Sequence, residues 1–391
     1  MSADGGRRNS ANGPGEILAM IRRGDVSTRA EVGEATGLSR MTVAQRVDSL
    51  LAAGLVREEG AGVSTGGRRP TLLRFDVDRA VVLAASVDTT HTRVAVLNLE
   101  GLVLHEVALT AYISDGPEAV LKSIAQAFLE VLAAVGRSPR EVEGVGISLP
   151  APIDPQTGRP SQPPIMPGWD DFPVGEHIRL VIDAPVLVEN DANAMAAGEQ
   201  TAESSDCRPL CLVKVSTGIG AGMVIGGHVY TGSDGGAGDI GHVRLHGEKA
   251  VCQCGSHGCL AAVASGRAVA RQLAAKGIPA GHGRDVADLL AAGDAEAQAL
   301  VREAGRRVGE VLATVVCVLN PAELVVAGDL ASPSLLTGLR EGLYPNSLPR
   351  ATRNLDVRLT RLGERAALVG LTRLVVDQVL SAEAVDARLR G

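Results

Sequence analysis

The stretch Pro209-Leu-Cys-Leu-Val-Lys-Val-Ser216-Thr217-Gly-Ile-Gly220-Ala-Gly222-Met-Val-Ile-Gly-Gly227 repeats the plan of an earlier one. Pro209 to Ser216 reads as a buried strand, Thr217 to Gly222 as a Gly-rich turn and Met223 to Gly227 as a second strand. His228-Val-Tyr230 follows the Gly-Gly turn. Earlier, Ala80 to Asp88 is an apolar strand, followed by a tight turn, then Arg93 to Asn98 and, after Glu100-Gly101, Leu102 to Val107. Strand, polar turn, strand, Gly turn and strand, met twice, predict a duplicated α/β unit. In such a pair the two polar turns face each other across a cleft. Gly-rich turns let backbone N–H groups approach a phosphate, although Thr217–Gly222 also suits an ordinary hairpin.

Amphipathic helices are expected around the strands, such as 117–135 with Val120, Ile124, Phe128, Val131 and Val135 on one face. At 391 residues the chain is long enough for two to four domains. Apolar residues make up 45% and aromatics only 2%, so the aliphatic residues must build the cores. No apolar run is long enough for a membrane span, and the polar N-terminus has no apolar signal-like region. A cytoplasmic protein with no membrane contact is expected.

The net charge is −7, yet residues 1–75 carry eleven Arg against eight Asp and Glu. A mildly basic segment on an acidic body suggests a nucleic-acid module joined to something else. After a disordered tail over 1–14, residues 15–54 read as three short helices. Ile17, Leu18 and Ile21 start the first. Thr28-Arg-Ala-Glu31 is a capping box for the second, and Gly37 ends it. Ser39 caps the third, from Arg40 to about Ala53, in which Val43, Val47, Leu50 and Leu51 face a core. Its outer face offers Met41, Thr42, Gln45, Arg46 and Ser49. Two wing strands follow, Gly54 to Arg57 and Leu72 to Phe75, joined by a Gly-rich tip carrying Arg68 and Arg69. This is a winged helix-turn-helix over 15–77. The expected DNA contacts are Ser39, Arg40, Thr42, Gln45 and Arg46 to the major groove, and Arg68 and Arg69 to a narrow minor groove.

Three of the six cysteines fall in Cys252-Gln-Cys254-Gly-Ser-His-Gly258-Cys259. A disulfide, a metal or a reactive thiol could explain the cluster. A reducing compartment favours the metal. Cys211 and Cys317 sit in apolar runs and read as core.

Together these residues resemble the ROK family (repressors, open reading frames, kinases), within the actin-like ATPase/sugar-kinase, ribonuclease H-like fold. The resemblance runs from about residue 15 to 380. Its most specific elements are Gly238-Asp239-Ile-Gly241-His242 and Cys252-x-Cys254-Gly-x-x-Gly-Cys259-Leu, with Gly67-Arg-Arg-Pro70 in the wing. It implies an N-terminal winged helix, a first lobe over 78–190, and a second over 191–391 with a zinc loop and a C-terminal helix returning to the first lobe. His242 would join Cys252, Cys254 and Cys259 around a structural Zn²⁺. Four protein ligands leave no open position to activate water. His257 is the competing imidazole.

The resemblance also implies Asp191 as the relict catalytic base. Asn190, Asp191, Asp239 and His242 would be sugar ligands, and Asp88, Thr92, Thr217, Gly218 and Gly220 relict phosphate-binding residues. The family's kinases carry Asp-x-Gly-Gly-Thr where this chain has Asp88-Thr-Thr90-His91-Thr92. Leu324-Val-Val-Ala327-Gly328-Asp329 lacks the usual Gly-Gly, and Ala261 stands where a Glu is usual. Loss of kinase activity is therefore expected. The chain then reads as a transcriptional regulator, most simply a repressor of carbohydrate-related genes. It would bind double-stranded operator DNA as a homodimer or dimer of dimers and answer to a sugar or sugar phosphate. The alternative is an ATP-dependent sugar kinase with an appended DNA-binding domain, and a third reading is a regulator set by a partner protein.

Overall fold

The computed structural model describes residues 12–61, 71–163, 165–201 and 208–390. The wing tip with Arg68 and Arg69, most of the N-terminal tail, and Cys207 lie outside the described residues.

The N-terminal unit consists of α1 (Pro14–Arg23), α2 (Arg29–Thr36), α3 (Arg40–Ala52) and the antiparallel pair β1 (Val56–Ala61) and β2 (Thr71–Phe75). Thr28 Oγ1 accepts the Glu31 N–H at 3.2 Å, as a capping residue should. The Glu31 carboxylate reaches one residue further back than expected, accepting from the N–H and hydroxyl of Ser27. Gly37 ends α2 in the left-handed conformation, at φ 70°.

The first lobe follows, with β3 (Val81–Val87), β4 (Thr92–Asn98), β5 (Val103–Leu109), α4 (Pro117–Ala134), β6 (Val142–Leu149), α5 (Val174–Arg179) and β7 (Val186–Asn190). Its sheet order is β5-β4-β3-β6-β7. α6 (Asp191–Thr201) leads to β8 (Leu210–Val215), β9 (Ile219–Ile225) and β10 (His228–Val229). After a long loop come α7 (Leu260–Ala264), α8 (Gly266–Ala275), α9 (Gly283–Ala291) and α10 (Ala295–Leu319). β11 (Glu323–Ala327), α11 (Pro333–Leu343), α12 (Pro349–Thr352) and β12 (Asp356–Leu359) complete a second sheet, ordered β10-β9-β8-β11-β12. α13 (Ala366–Val379) and α14 (Ala382–Arg388) end the chain.

The two sheets share one plan: three antiparallel strands, then two more in parallel on the other side of the first. The duplication read from the strand pattern is therefore real. Both faces of each sheet are covered, so the central strands β3 and β8 are mostly apolar, with Ser86 and Lys214 as the exceptions. On β3, Val81, Leu83 and Ala85 face Leu121, Ile124 and Phe128 of α4, while Ala84 faces the other lobe. On β8, Cys211, Val213 and Val215 face the outer helices of the second lobe, while Leu210 and Leu212 face inward. By the same alternation Lys214 belongs to the inward face.

α6 and α13 fill the space between the sheets. Ala194, Met195 and Ala196 of α6 share a core with Ala366, Ala367, Leu368 and Leu371 of α13 and with both sheets. Further along α13, Val375 and Val376 join the core of the winged helix with Ile17, Leu18 and Ile21, and Val385 of α14 joins them. The Gly15 N–H donates to Asp386 Oδ1 at 2.8 Å, and Arg22 pairs with Asp377 at 2.8 Å. The N-terminal unit is thus packed onto the same helix that separates the lobes.

Two expectations need correction. The Gly-rich turn after β8 is shorter than its composition suggests, because β9 already begins at Ile219. Gly222 is in the strand, where a Cβ would lie 2.2 Å from the Ala192 carbonyl oxygen; it is glycine so that α6 can approach. Cys317 is exposed rather than core. It lies one residue beyond buried Val316, and one helical step of about 100° turns it off the packed face of α10.

Candidate functional site

Two cavities lie between the lobes. The larger, about 410 Å³, is bounded by Asp88, Thr89, Asn190, Asp191, Thr217, Gly218, Gly220, Asp239 and His242, and by the cysteine loop. The smaller, about 380 Å³, is bounded by Asp88, His91, Arg93, Asp191, Arg284, Gly328 and Asp329. Asp88, Asp191, Lys214 and Ser216 border both, so they form the wall between them.

That wall is an ion triad. Lys214 Nζ donates to Asp88 Oδ2 at 2.5 Å and to Asp191 Oδ2 at 2.6 Å, and all three residues are buried. Burial opposes ionisation of Asp88, but the Lys214 charge and hydrogen bond outweigh it and push the carboxyl down to about 2. For Asp191 burial prevails over Lys214, and the neighbouring Asp88 charge adds to it, so its carboxyl is raised. Burial disfavours the Lys214 ammonium, yet the two carboxylates more than compensate and raise it. Asp191 Oδ1 accepts the Ala192 N–H at 2.7 Å, so both oxygens of the expected base are engaged.

The loop after β3 carries side chains at Thr89, Thr90 and His91. Asp88 Oδ1 accepts the Thr89 N–H at 2.6 Å, and Thr89 and Thr217 join their hydroxyls across the lobes at 2.8 Å. None of residues 89–91 adopts a positive φ. His91 is lowered by burial, and Asp329 is raised by burial and by the Asp88 charge. Thr92 borders neither cavity. It is fully buried at the start of β4, which sets it apart from the other residues expected at a phosphate.

Asn190 borders the larger cavity with one of its two Nδ2–H donors uncommitted. Its Oδ1 accepts the N–H groups of Ala192 and Asn193 at 3.0 and 3.2 Å, opening α6, and its Nδ2 donates to the Ala151 carbonyl at 3.0 Å. Asp239 is raised by partial burial, with the nearby His242 opposing. Ala261 borders the cavity with a methyl group.

At the rim of this cavity His242, Cys252, Cys254 and Cys259 bring their donor atoms within 4.8 Å of one another. His242 Nδ1 and Cys252 Sγ are 3.8 Å apart, as are the Sγ atoms of Cys254 and Cys259. Thiolates placed tetrahedrally at about 2.3 Å from one ion would be about 3.8 Å apart, so the set can hold a metal. The loop is shaped for this. Gly258, at φ 75°, has no space for a Cβ, which would fall 2.6 Å from the Glu248 carbonyl oxygen. His257 is exposed and stands outside the cluster.

Five of the residues expected at DNA, Ser39, Arg40, Thr42, Gln45 and Arg46, lie on or beside α3. Arg40 and Gln45 are exposed, whereas Arg46 is half-buried. Ser39 Oγ accepts the Thr42 N–H at 3.2 Å and lies 2.9 Å from the Thr42 hydroxyl, so the pair builds the start of the helix.

Sequence reading missed Lys214, Gln162, Arg267 and Arg271, all of which border the larger cavity. The signal for Lys214 was a lone charge in an apolar strand. Gln162 adopts φ 45°, which no sequence pattern announces.

Comparison with known proteins agrees with this architecture. The family model "ROK family" matches residues 83–378, and the model "Winged helix-turn-helix DNA-binding" matches residues 15–57. The xylose repressor of Caldicellulosiruptor bescii is 27% identical, over 93% of this chain and 95% of its own length. The glucokinase of Halalkalibacterium halodurans is 30% identical, over 77% of this chain and 96% of its own. The crystal structure of a ROK family transcriptional regulator, a homologue of the E. coli MLC protein, superposes with a TM-score of 0.79 at 23% identity. It covers 98% of this chain and 100% of the other, a likeness of fold. With its two like sheets, the cysteine loop at the cleft and the winged helix ahead of them, the chain belongs to the ROK family.

Proposed function

We propose that this protein is a sugar-responsive, DNA-binding transcriptional repressor whose kinase-like body senses a carbohydrate and no longer phosphorylates it. The observation that carries this reading is the path of α13. The helix packs between the two lobes at Leu368 and Leu371 and within the winged-helix core at Val375 and Val376. A ligand that favours one arrangement of the lobes therefore acts on the element that seats the DNA-binding unit.

In this reading α3 enters the major groove, with Arg40 and Gln45 exposed for phosphate and base edges and Thr42 and half-buried Arg46 beside them. Two copies would read paired half-sites. The carbohydrate occupies the larger cavity, where Asp239, Asn190 and the backbone near Gly218 offer polar groups to its hydroxyls. A xylose repressor and a glucokinase among the relatives support a sugar as the ligand class. Zn²⁺ held by His242, Cys252, Cys254 and Cys259 would fix the loop at the cavity rim and supply no catalysis, because four protein ligands close its coordination. The engaged Asp191 and the crowded loop at Thr89–His91 support the loss of phosphoryl transfer.

The test is a footprint and gel shift on the DNA upstream of the gene itself, with and without a panel of aldoses and their phosphates, beside a coupled ADP-release assay. A specific complex weakened by one of these sugars, with no ADP release, is expected. No specific complex at moderate salt, or turnover that Asp191→Asn abolishes, would overturn the reading.

A further inference from the structure

Phosphoryl-transferring enzymes place a divalent cation between the phosphates and the carboxylates of the cleft. Mg²⁺ needs oxygen ligands at about 2.0–2.1 Å in a near-octahedral shell. The residues here do not fit one. The space between Asp88 Oδ2 and Asp191 Oδ2 is taken by the Lys214 ammonium, at 2.5 and 2.6 Å. We propose that Lys214 is a built-in cation that occupies the divalent metal's seat in this cleft, leaving the larger cavity to work without such a metal.

Three observations support this. Lys214 lies on β8 in register with Leu210 and Leu212, so strand alternation aims it between the lobes rather than into the second lobe's core. Its two partners come from different elements, Asp88 after β3 and Asp191 at the start of α6, and each gives it one oxygen. The triad is also the partition between the two cavities, strengthened by the Thr89–Thr217 hydroxyl contact beside it. An ammonium on a covalent stem bridges the two buried carboxylates permanently and offsets one of their two charges. It carries one charge instead of two, and with two N–H groups spent on the carboxylates it has one left, where a divalent ion would bind several phosphate oxygens. Without Lys214, the carboxylates of Asp88 and Asp191 would lose the cation between them in the wall, with Asp329 close by on the smaller cavity's side. The inference concerns the cleft alone and stands whether or not the protein binds an operator.

The experiment titrates Mn²⁺, a paramagnetic stand-in for Mg²⁺, into the zinc-loaded full-length protein and counts bound ions by electron paramagnetic resonance. Wild type and Asp88→Asn should take up the same amount. Lys214→Ala should gain one Mn²⁺ per chain, and Lys214→Ala with Asp88→Asn should lose it again. Mn²⁺ uptake by the wild type that Asp88→Asn removes would overturn the proposal, as would a folded Lys214→Ala protein that gains none. If Lys214→Ala does not fold, the wild type against Asp88→Asn decides by itself: equal uptake supports the proposal and Asp88-dependent uptake overturns it.

Discussion

Gly198 of α6 and Gly370 of α13 stand against each other where the two helices cross, and neither has room for a side chain. A Cβ on Gly198 would lie 2.0 Å from the Ala366 carbonyl oxygen, and one on Gly370 1.8 Å from the Ala194 carbonyl oxygen. α6 carries Asp191 at its start, and α13 runs on into the winged-helix core. This contact therefore links the cleft wall to the DNA-binding unit through two packed helices.

Gly370→Ala should force the helices apart and destabilise the protein by about 1–3 kcal/mol, the usual cost of overpacking. Thermal denaturation of the variant beside the wild type measures this. An unchanged Tm would mean that the crossing tolerates a methyl group.

Glu199, fully buried at the far end of α6, ties that helix to the second lobe. It accepts from Arg358 at 2.8 Å, from the Thr360 hydroxyl, and from the N–H groups of Arg361 and Leu362 at 3.0 Å each. Burial pushes its carboxyl up, but Arg358 and the other donors outweigh burial and hold it below its ordinary value. A carboxyl lowered on folding stabilises the protein above its unfolded pKa and loses that contribution as pH falls through the folded value. Glu199→Gln should cost about 3 kcal/mol near neutrality, as expected when a buried pair loses one partner. The gap from wild type should shrink toward acid pH. Urea denaturation at neutral and acid pH checks the sign; a pH-independent gap would contradict it.

Cys259→Ser should abolish stoichiometric zinc and lower the Tm, because metal affinity and loop folding are coupled. Exposed Cys317 lies away from the cluster, so Cys317→Ser should change neither. Metal analysis with a thermal scan separates the two. Equal zinc content in both variants would remove the cluster from consideration.

Arg40→Ala should weaken DNA binding on all sequences and lower the salt slope by about 1, if Arg40 meets a phosphate. Gln45→Ala should change sequence preference more than the slope. Ser39→Ala is different: its oxygen caps α3, so about 1 kcal/mol of stability should be lost as well. Binding isotherms at several salt concentrations, beside urea melts, resolve the three.

Much of this architecture was legible along the chain because it rests on local rules. Alternation and Gly turns marked the two like units, and capping residues marked α2 and α3. The family's motif at 238–259 drew His242 to the three cysteines, and the donor atoms do converge. Other features were not legible. Gly222 looked like part of a phosphate-binding turn, yet its lack of a side chain serves the approach of α6, a contact made only when the lobe is assembled. Cys317 looked apolar by its neighbours, but the buried face of α10 is set by what packs there. Thr92 matched the phosphate motif by position and is buried at a strand end.

By itself the sequence marked the first three strands of each unit and the winged helix, because period and capping act over a few residues, while the family's motif named the four residues whose donor atoms converge. Only the tertiary structure decided what the cleft can do. Lys214 was one charged residue in an apolar strand until the lobes met and its ammonium fell between Asp88, 126 positions earlier, and Asp191, 23 positions earlier. A buried charge must find its partners wherever the fold puts them, and here it finds them at the expected base.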